Sequence, residues 1–152
     1  MRPLAKTLGL VSCTKKKRSV SCTVIEMYSS SQLFSKAYAY AVTNYDEVMI
    51  LSAKHGLIDP DTVVEPYDVT LNKMGKEERR KWAEGVYKQI YERYFGTDMR
   101  FVFFHAGLRY REFLIYPLEL NGFECRVPLE GLGIGKQMKW YNEQSNHREI
   151  KR

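Results

Sequence analysis

Apolar and polar positions fall into alternating blocks along this chain. Lys6–Ser12 (KTLGLVS) is an apolar run that ends in a polar cluster, which predicts a buried first strand. A loop follows to about residue 25. Ser29, Ser30 and Ser31 are N-cap candidates for a helix through about residue 41, with Leu33, Ala37 and either Tyr40 or Ala41 on one face. Residues 46–52 (DEVMILS) read as a second buried strand, and 53–71 as a long loop carrying Gly56, Pro60 and Pro66. Residues 76–95 form the longest predicted helix. Its apolar stripe is Trp82, Val86, Ile90 and Tyr94, and Gly96 stops it. Residues 100–104 make a third strand, 107–116 a short helix stopped by Pro117, 123–127 a fourth strand and 136–144 a final helix.

Strands that alternate with helices predict one α/β domain over residues 1–152. Its core is a short, mostly parallel four-stranded sheet with helices on both faces and right-handed crossovers. In such sheets the site forms beyond the carboxyl ends of the strands. That rule selects four loops: SCTKKKR, SAKHGLIDPDTVVEPYD, HAGLRYR and PLEGLGIGK. All four are polar or glycine-rich, and the topology predicts that they converge.

Charge sharpens the picture. The chain of 152 residues has a net charge of +6. Arg2, Lys6, Lys15, Lys16, Lys17 and Arg18 precede the first acidic residue, Glu26, and the remaining cations balance the anions. The excess therefore belongs to the first segment, which points to a phosphate-bearing partner or to a loop made basic for solubility. Apolar stretches are too short to cross a bilayer, and the first residues do not read as a signal peptide, so a cytoplasmic protein without membrane contact is expected. Cys13, Cys22 and Cys125 form no CxxC pair, and His55, His105 and His147 show no ligand spacing, so neither a metal nor a cofactor is expected.

Each loop offers chemistry beside a plainer alternative. Cys13 either packs or serves as a nucleophile whose pKa the lysines lower. Lys15, Lys16 and Lys17 either approach a phosphate or are solvated. In the second loop, Lys54 and His55 stand at the strand end, and Gly56 frees the backbone for a turn. Asp68 supplies a carboxylate and Tyr67 an aromatic face, while Asp59-Pro60-Asp61 reads as a turn. His105 ends the third strand as a proton-transfer group or a hydrogen-bonded fixture. Gly107 opens a helix, and Arg109, Tyr110 and Arg111 interleave charge with a stacking ring. Gly131, Gly133 and Gly135 permit close approach of a ligand or of another segment, but GLGIGK is neither a P-loop nor a dinucleotide motif. The chain is 13% aromatic with 11 tyrosines, most of them at core spacing on predicted helices.

The ordered series SCTKKK, MYSSSQLF, ILSAKHGLIDPDTVVEPYDVTL, FHAGLRY and PLEGLGIGKQMKWY resembles the small bacterial and phage proteins related to the peroxide-stress protein YaaA. Its most specific part is S-A-K-x-G-L-x-x-P followed by P-Y-D. The resemblance implies an α/β domain associated with DNA and its damage or modification, and brings Tyr28 and Ser31 of MYSSSQLF among the substrate-binding candidates. Larger relatives add a helix-hairpin-helix element that has no counterpart here, which shifts nucleic-acid contact to the basic first loop. More remotely, the serine-cysteine-lysine run is similar to the core of archaeosine synthases, which act on a modified guanine base in RNA. The expected function is an enzyme acting on a nucleobase or its N-glycosidic bond, in nucleic acid or nucleotides. In that reading Lys54, His55, Asp68, His105 and Cys13 handle the chemistry. Lys15, Lys16, Lys17, Tyr28, Ser31, Gly56, Tyr67, Gly107, Tyr110 and Gly133 bind substrate. The alternative is a non-catalytic DNA- or nucleotide-binding accessory protein of a phage or a stress response.

Overall fold

A computed structural model describes residues 5–12, 21–28, 31–67 and 69–151. The expected strands are present as β1 (Lys6–Ser12), β3 (Glu47–Ser52), β6 (Met99–His105) and β7 (Glu124–Arg126). A short ribbon adds β2 (Cys22–Thr23) and β5 (Val63–Val64), and the edge strand β4 is Gly56–Ile58. The helices are α1 (Val24–Met27), α2 (Gln32–Asn44), α3 (Lys76–Tyr94), α4 (Leu108–Arg111), α5 (Ile115–Leu120) and α6 (Ile134–Lys151).

The main sheet runs β4-β3-β1-β6-β7. β1 lies at its centre, parallel to β3 and β6, and β7 is parallel to β6. β4 is antiparallel to β3, so the four-stranded expectation gains a fifth, reversed edge strand. The long second loop is thus structured: it folds back as β4, pairs β5 with β2, and ends in a 3-10 turn at Leu71–Lys73. Three-residue strands carry no readable alternation, which is why sequence pattern misses them. α2 packs on β1, β3 and α6, while α3 packs on β4, α4 and α5.

Local chemistry sets these elements. Ser31 caps α2, its Oγ accepting from the Phe34 N–H at 3.2 Å. Val86, Ile90 and Tyr94 of the α3 stripe are buried, together with Ala83. Each buried aliphatic there is worth about 2 kcal/mol. Trp82 departs from the stripe: it is half-buried and donates its indole N–H to the Ser52 carbonyl at 2.9 Å. Pro117 does not stop a helix. It sits in the first turn of α5, where a backbone N–H would have no intrahelical acceptor. α6 starts earlier than expected because the Gly133 carbonyl already accepts from the Gln137 N–H, leaving Gly135 inside the helix. No helix among the described residues is long and apolar enough to cross a membrane.

The exposed edge at β4 is covered by one side chain. Gln89 of α3 accepts from the Leu57 N–H at 2.9 Å and donates to its carbonyl at 3.1 Å, as a neighbouring strand would. Gly56 makes room, with φ of 71° and a position where a Cβ would collide with the Gln89 side-chain oxygen. Gly96 has φ of 81° but open space around it. Gly56→Ala should therefore destabilise the protein by about 2–3 kcal/mol and Gly96→Ala by only about 1 kcal/mol. Urea unfolding of both variants measures the difference, and equal losses would mean that the Gln89 brace contributes nothing.

Candidate functional site

A cavity of about 770 Å³ opens beyond the carboxyl ends of β1 and β6. Val11 and Ser12 of β1 and His105 and Ala106 of the β6 end form its base. The first turns of α2 supply Ser31, Gln32, Leu33, Phe34 and Ala37, and the 3-10 turn supplies Asn72. Gly107, Leu108, Arg109 and Tyr110 come from the start of α4, and Ile134, Gln137, Met138 and Tyr141 from one face of α6. The walls are mainly apolar, with a few side-chain amides and one guanidinium.

The expected loops after β6 and β7 reach this cavity, and Ser12, the last residue of β1, lines it at the head of the SCTKKKR run. Of the candidate residues, Ser31, His105, Gly107 and Tyr110 line it. Gly133 stands one position before the lining residue Ile134, at the start of α6. Cys13, Lys15, Lys16, Lys17 and Asp68 lie outside the described residues.

Of the two roles open to His105 at its strand end, the structure shows the hydrogen-bonded fixture of the wall. Tyr45 Oη lies 2.6 Å from its Nε2 and Tyr141 Oη 2.7 Å from its Nδ1. Burial holds its pKa down to about 4, so the ring is neutral at physiological pH. A neutral imidazole has one N–H and one bare nitrogen, so one phenol accepts from it and the other donates to it. Burial also pushes both phenols above the usual tyrosine range. No ring nitrogen is left for a ligand.

A second buried cluster lies at the end of β3. Tyr28 donates to the Tyr67 hydroxyl at 2.5 Å, and Tyr67 and Ser52 share a hydrogen bond at 2.8 Å. Ser52 Oγ also accepts from the His55 N–H at 3.0 Å. Tyr67 was expected to offer its face to a base. Instead it is buried, with His55 against it edge-on at 5.4 Å and the Lys54 ammonium 5.7 Å from its ring centre. Lys54 and His55 are exposed, and with Gly56, Tyr28 and Tyr67 they are not among the residues that line the cavity. Phe34 links the two clusters, its ring 5.5 Å from that of Tyr28. Among the described residues no group of three or more His, Cys, Asp or Glu could hold a metal ion.

Sequence reasoning missed Asn72, Phe34, Gln137, Met138 and Tyr141. The α6 residues had a legible signal, since Ile134, Gln137, Met138 and Tyr141 keep the i, i+3, i+4, i+7 spacing of one helix face. Asn72 had none, because a three-residue turn carries no period.

Residues 8–143 match the sequence model of a family described only as a family of unknown function, DUF6884. No curated protein and no solved structure matches the chain.

The His105 clamp has a pH signature. Its folded pKa, about 4, lies below the ordinary 6.5, so the unfolded chain takes up the proton first as pH falls. The stability it contributes is complete above pH 6.5 and is lost as pH falls through about 4, a change of roughly 3 kcal/mol. His105→Phe should remove that slope and cost about 2–4 kcal/mol at neutral pH by stranding two hydroxyls. Urea unfolding of both proteins at neutral and acidic pH tests this, and identical pH dependence would exclude His105 as its source.

Proposed function

The chain belongs to the DUF6884 family, and from that premise we propose that it binds a nucleobase, carried by nucleic acid or a nucleotide, in the cavity beyond β1 and β6 and processes that base or its N-glycosidic bond. The observation that carries this reading is the composition of the cavity wall. Its volume, about 770 Å³, is within the range of small-molecule sites. Phe34 and Tyr110 line it from the core, 2% and 8% exposed, and give a flat heterocycle an apolar wall with little open ring face. The amides of Gln32 and Asn72 offer the paired donors and acceptors that a base edge requires, while that of Gln137 already donates to the Leu132 carbonyl at 2.8 Å. Arg109 adds a guanidinium for a phosphate. Ser12 lines the cavity, and the sequence that continues from it holds Cys13, Lys15, Lys16 and Lys17. The resemblance to YaaA-type proteins supports the same substrate class.

In this reading the chemistry falls to Cys13, to the lysines that follow it and to Asp68, because His105 is occupied and Lys54 and His55 stand outside the cavity. A non-catalytic binding module is the second reading. It is favoured by the fact that no carboxylate among the described residues lines the cavity, and that the imidazole which does has both nitrogens engaged.

Calorimetric titration with the nucleoside 5′-monophosphates should give saturable binding, and Arg109→Ala should weaken it about tenfold, equivalent to ~1.4 kcal/mol. Mass spectrometry of oligonucleotides and nucleotides incubated with the protein should then reveal a freed or altered base, absent with Asp68→Asn or Cys13→Ser. Binding with no product selects the accessory-protein reading. No binding of any mononucleotide or oligonucleotide removes both.

A further inference from the structure

Two large apolar side chains stand in the open at the cavity's own wall. Leu108 is 57% exposed and Ile134 65%, and both line the cavity. They come from different helices, each at its first residue. Single exposed apolar residues are ordinary, and Tyr116 and Leu120 are as exposed elsewhere; these two differ in standing together at the wall of one cavity.

One cation lines the same opening, and two more adjoin lining residues in sequence. Arg109 lines it, Lys73 follows the lining residue Asn72, and Lys136 precedes the lining residue Gln137. All three are exposed, and none forms an ion pair with a described residue. Elsewhere on the molecule arginines are matched: Arg79 meets Glu112 at 2.8 Å, and Arg100 meets Glu124 at 2.9 Å. Arg109 is thus the one arginine with a described side chain that lacks an ion pair, although unpaired lysines also occur on α3 at Lys76, Lys81 and Lys88, and four of the six cations of the first segment follow Ser12 in sequence.

We propose that the ligand is a base within a single-stranded stretch of nucleic acid, inserted into the cavity while Lys73, Arg109 and Lys136 hold flanking phosphates and Leu108 and Ile134 pack on the neighbouring bases. This rests on the nucleobase reading above and narrows it. A free mononucleotide has one phosphate group, which Arg109 alone accounts for; it would leave two lysines and two apolar side chains facing water. A strand carries a phosphate on either side of the inserted base and a flat apolar face on each neighbour, so it satisfies all five. Apolar side chains at such a mouth act on neighbouring bases as wedges do at unstacked steps. A single strand is favoured over a duplex because its base enters without the loss of a pair.

The test compares a labelled single strand of roughly 12 nucleotides with a mononucleotide, by anisotropy and calorimetry, from about 50 to 200 mM salt. The strand should bind at least tenfold more tightly. Its affinity should fall with salt by a slope of about −0.7 per phosphate contact. The double variant Lys73→Gln, Lys136→Gln should reduce that slope by about 1.4 and leave mononucleotide affinity unchanged. Leu108→Ser combined with Ile134→Ser should weaken strand binding several-fold with the slope retained. Equal affinity and equal salt dependence for strand and mononucleotide would overturn this proposal while the nucleobase reading stands. A duplex bound more tightly than the single strand would overturn the single-strand assignment. Absence of binding to either ligand would remove the nucleobase reading and this proposal together.

Discussion

Gly9 sits at the middle of the central strand, and its missing side chain is the constraint on which the cavity side of the molecule depends. A Cβ there would drive into the ring of Tyr45. Because it is absent, that ring lies across the strand and stacks on Phe103 at 4.6 Å. From there the Tyr45 hydroxyl reaches His105, His105 reaches Tyr141, and Tyr141 fixes the face of α6 that closes the cavity. Tyr40 and Trp140 pack around the same rings, 4.9 Å apart. The position of a C-terminal helix is thus set from the centre of the sheet by two hydrogen bonds and an aromatic stack. A larger residue at position 9 would act at a distance, by displacing the wall that the ligand meets.

The other strand ends are secured by comparable means. Trp82 of α3 bonds the Ser52 carbonyl, while the Ser52 hydroxyl gathers Tyr67, and through it Tyr28, from two distant parts of the chain. No buried side-chain nitrogen or oxygen among the described residues lacks a partner. Buried polar groups are costly when unpaired and specifying when paired, so these hydroxyl chains define one arrangement of the loops where an apolar core would permit several. The strand ends are consequently both polar and rigid, the combination that a site needs.

The fold was largely legible in sequence for reasons that also explain the gaps. β1, β3 and β6 are buried on both faces, so each reads as a continuous apolar run. α3 announces itself through Val86, Ile90 and Tyr94. The Gly56–Ile58 strand and the β2–β5 ribbon are too short to show a period and owe their existence to partners far away in the chain. Pro117 misled because proline reads as a stop unless the helix start is already known. At the site, strand-end logic selected His105, Gly107 and Tyr110, which line one cavity together with the helix-cap candidate Ser31. It could not tell which of them were already engaged, because engagement depends on Tyr45 and Tyr141, which are 60 and 36 residues from His105.

That distinction between engaged and open groups organises the whole site. Among the described candidates, several residue types that look chemical in sequence are engaged in holding the structure together. Ser31 caps a helix, His105 joins two phenols, and Tyr67 carries His55 and Lys54 on its ring. The side chains with no hydrogen bond to a described residue are less conspicuous: Gln32, Asn72 and Arg109. A wall built from satisfied groups keeps its shape when empty, so little ordering entropy is left to oppose binding. The open amides and guanidinium, mounted on that fixed wall, are then the groups whose replacement should change what is bound, whereas replacing the engaged ones should first change whether the wall stands.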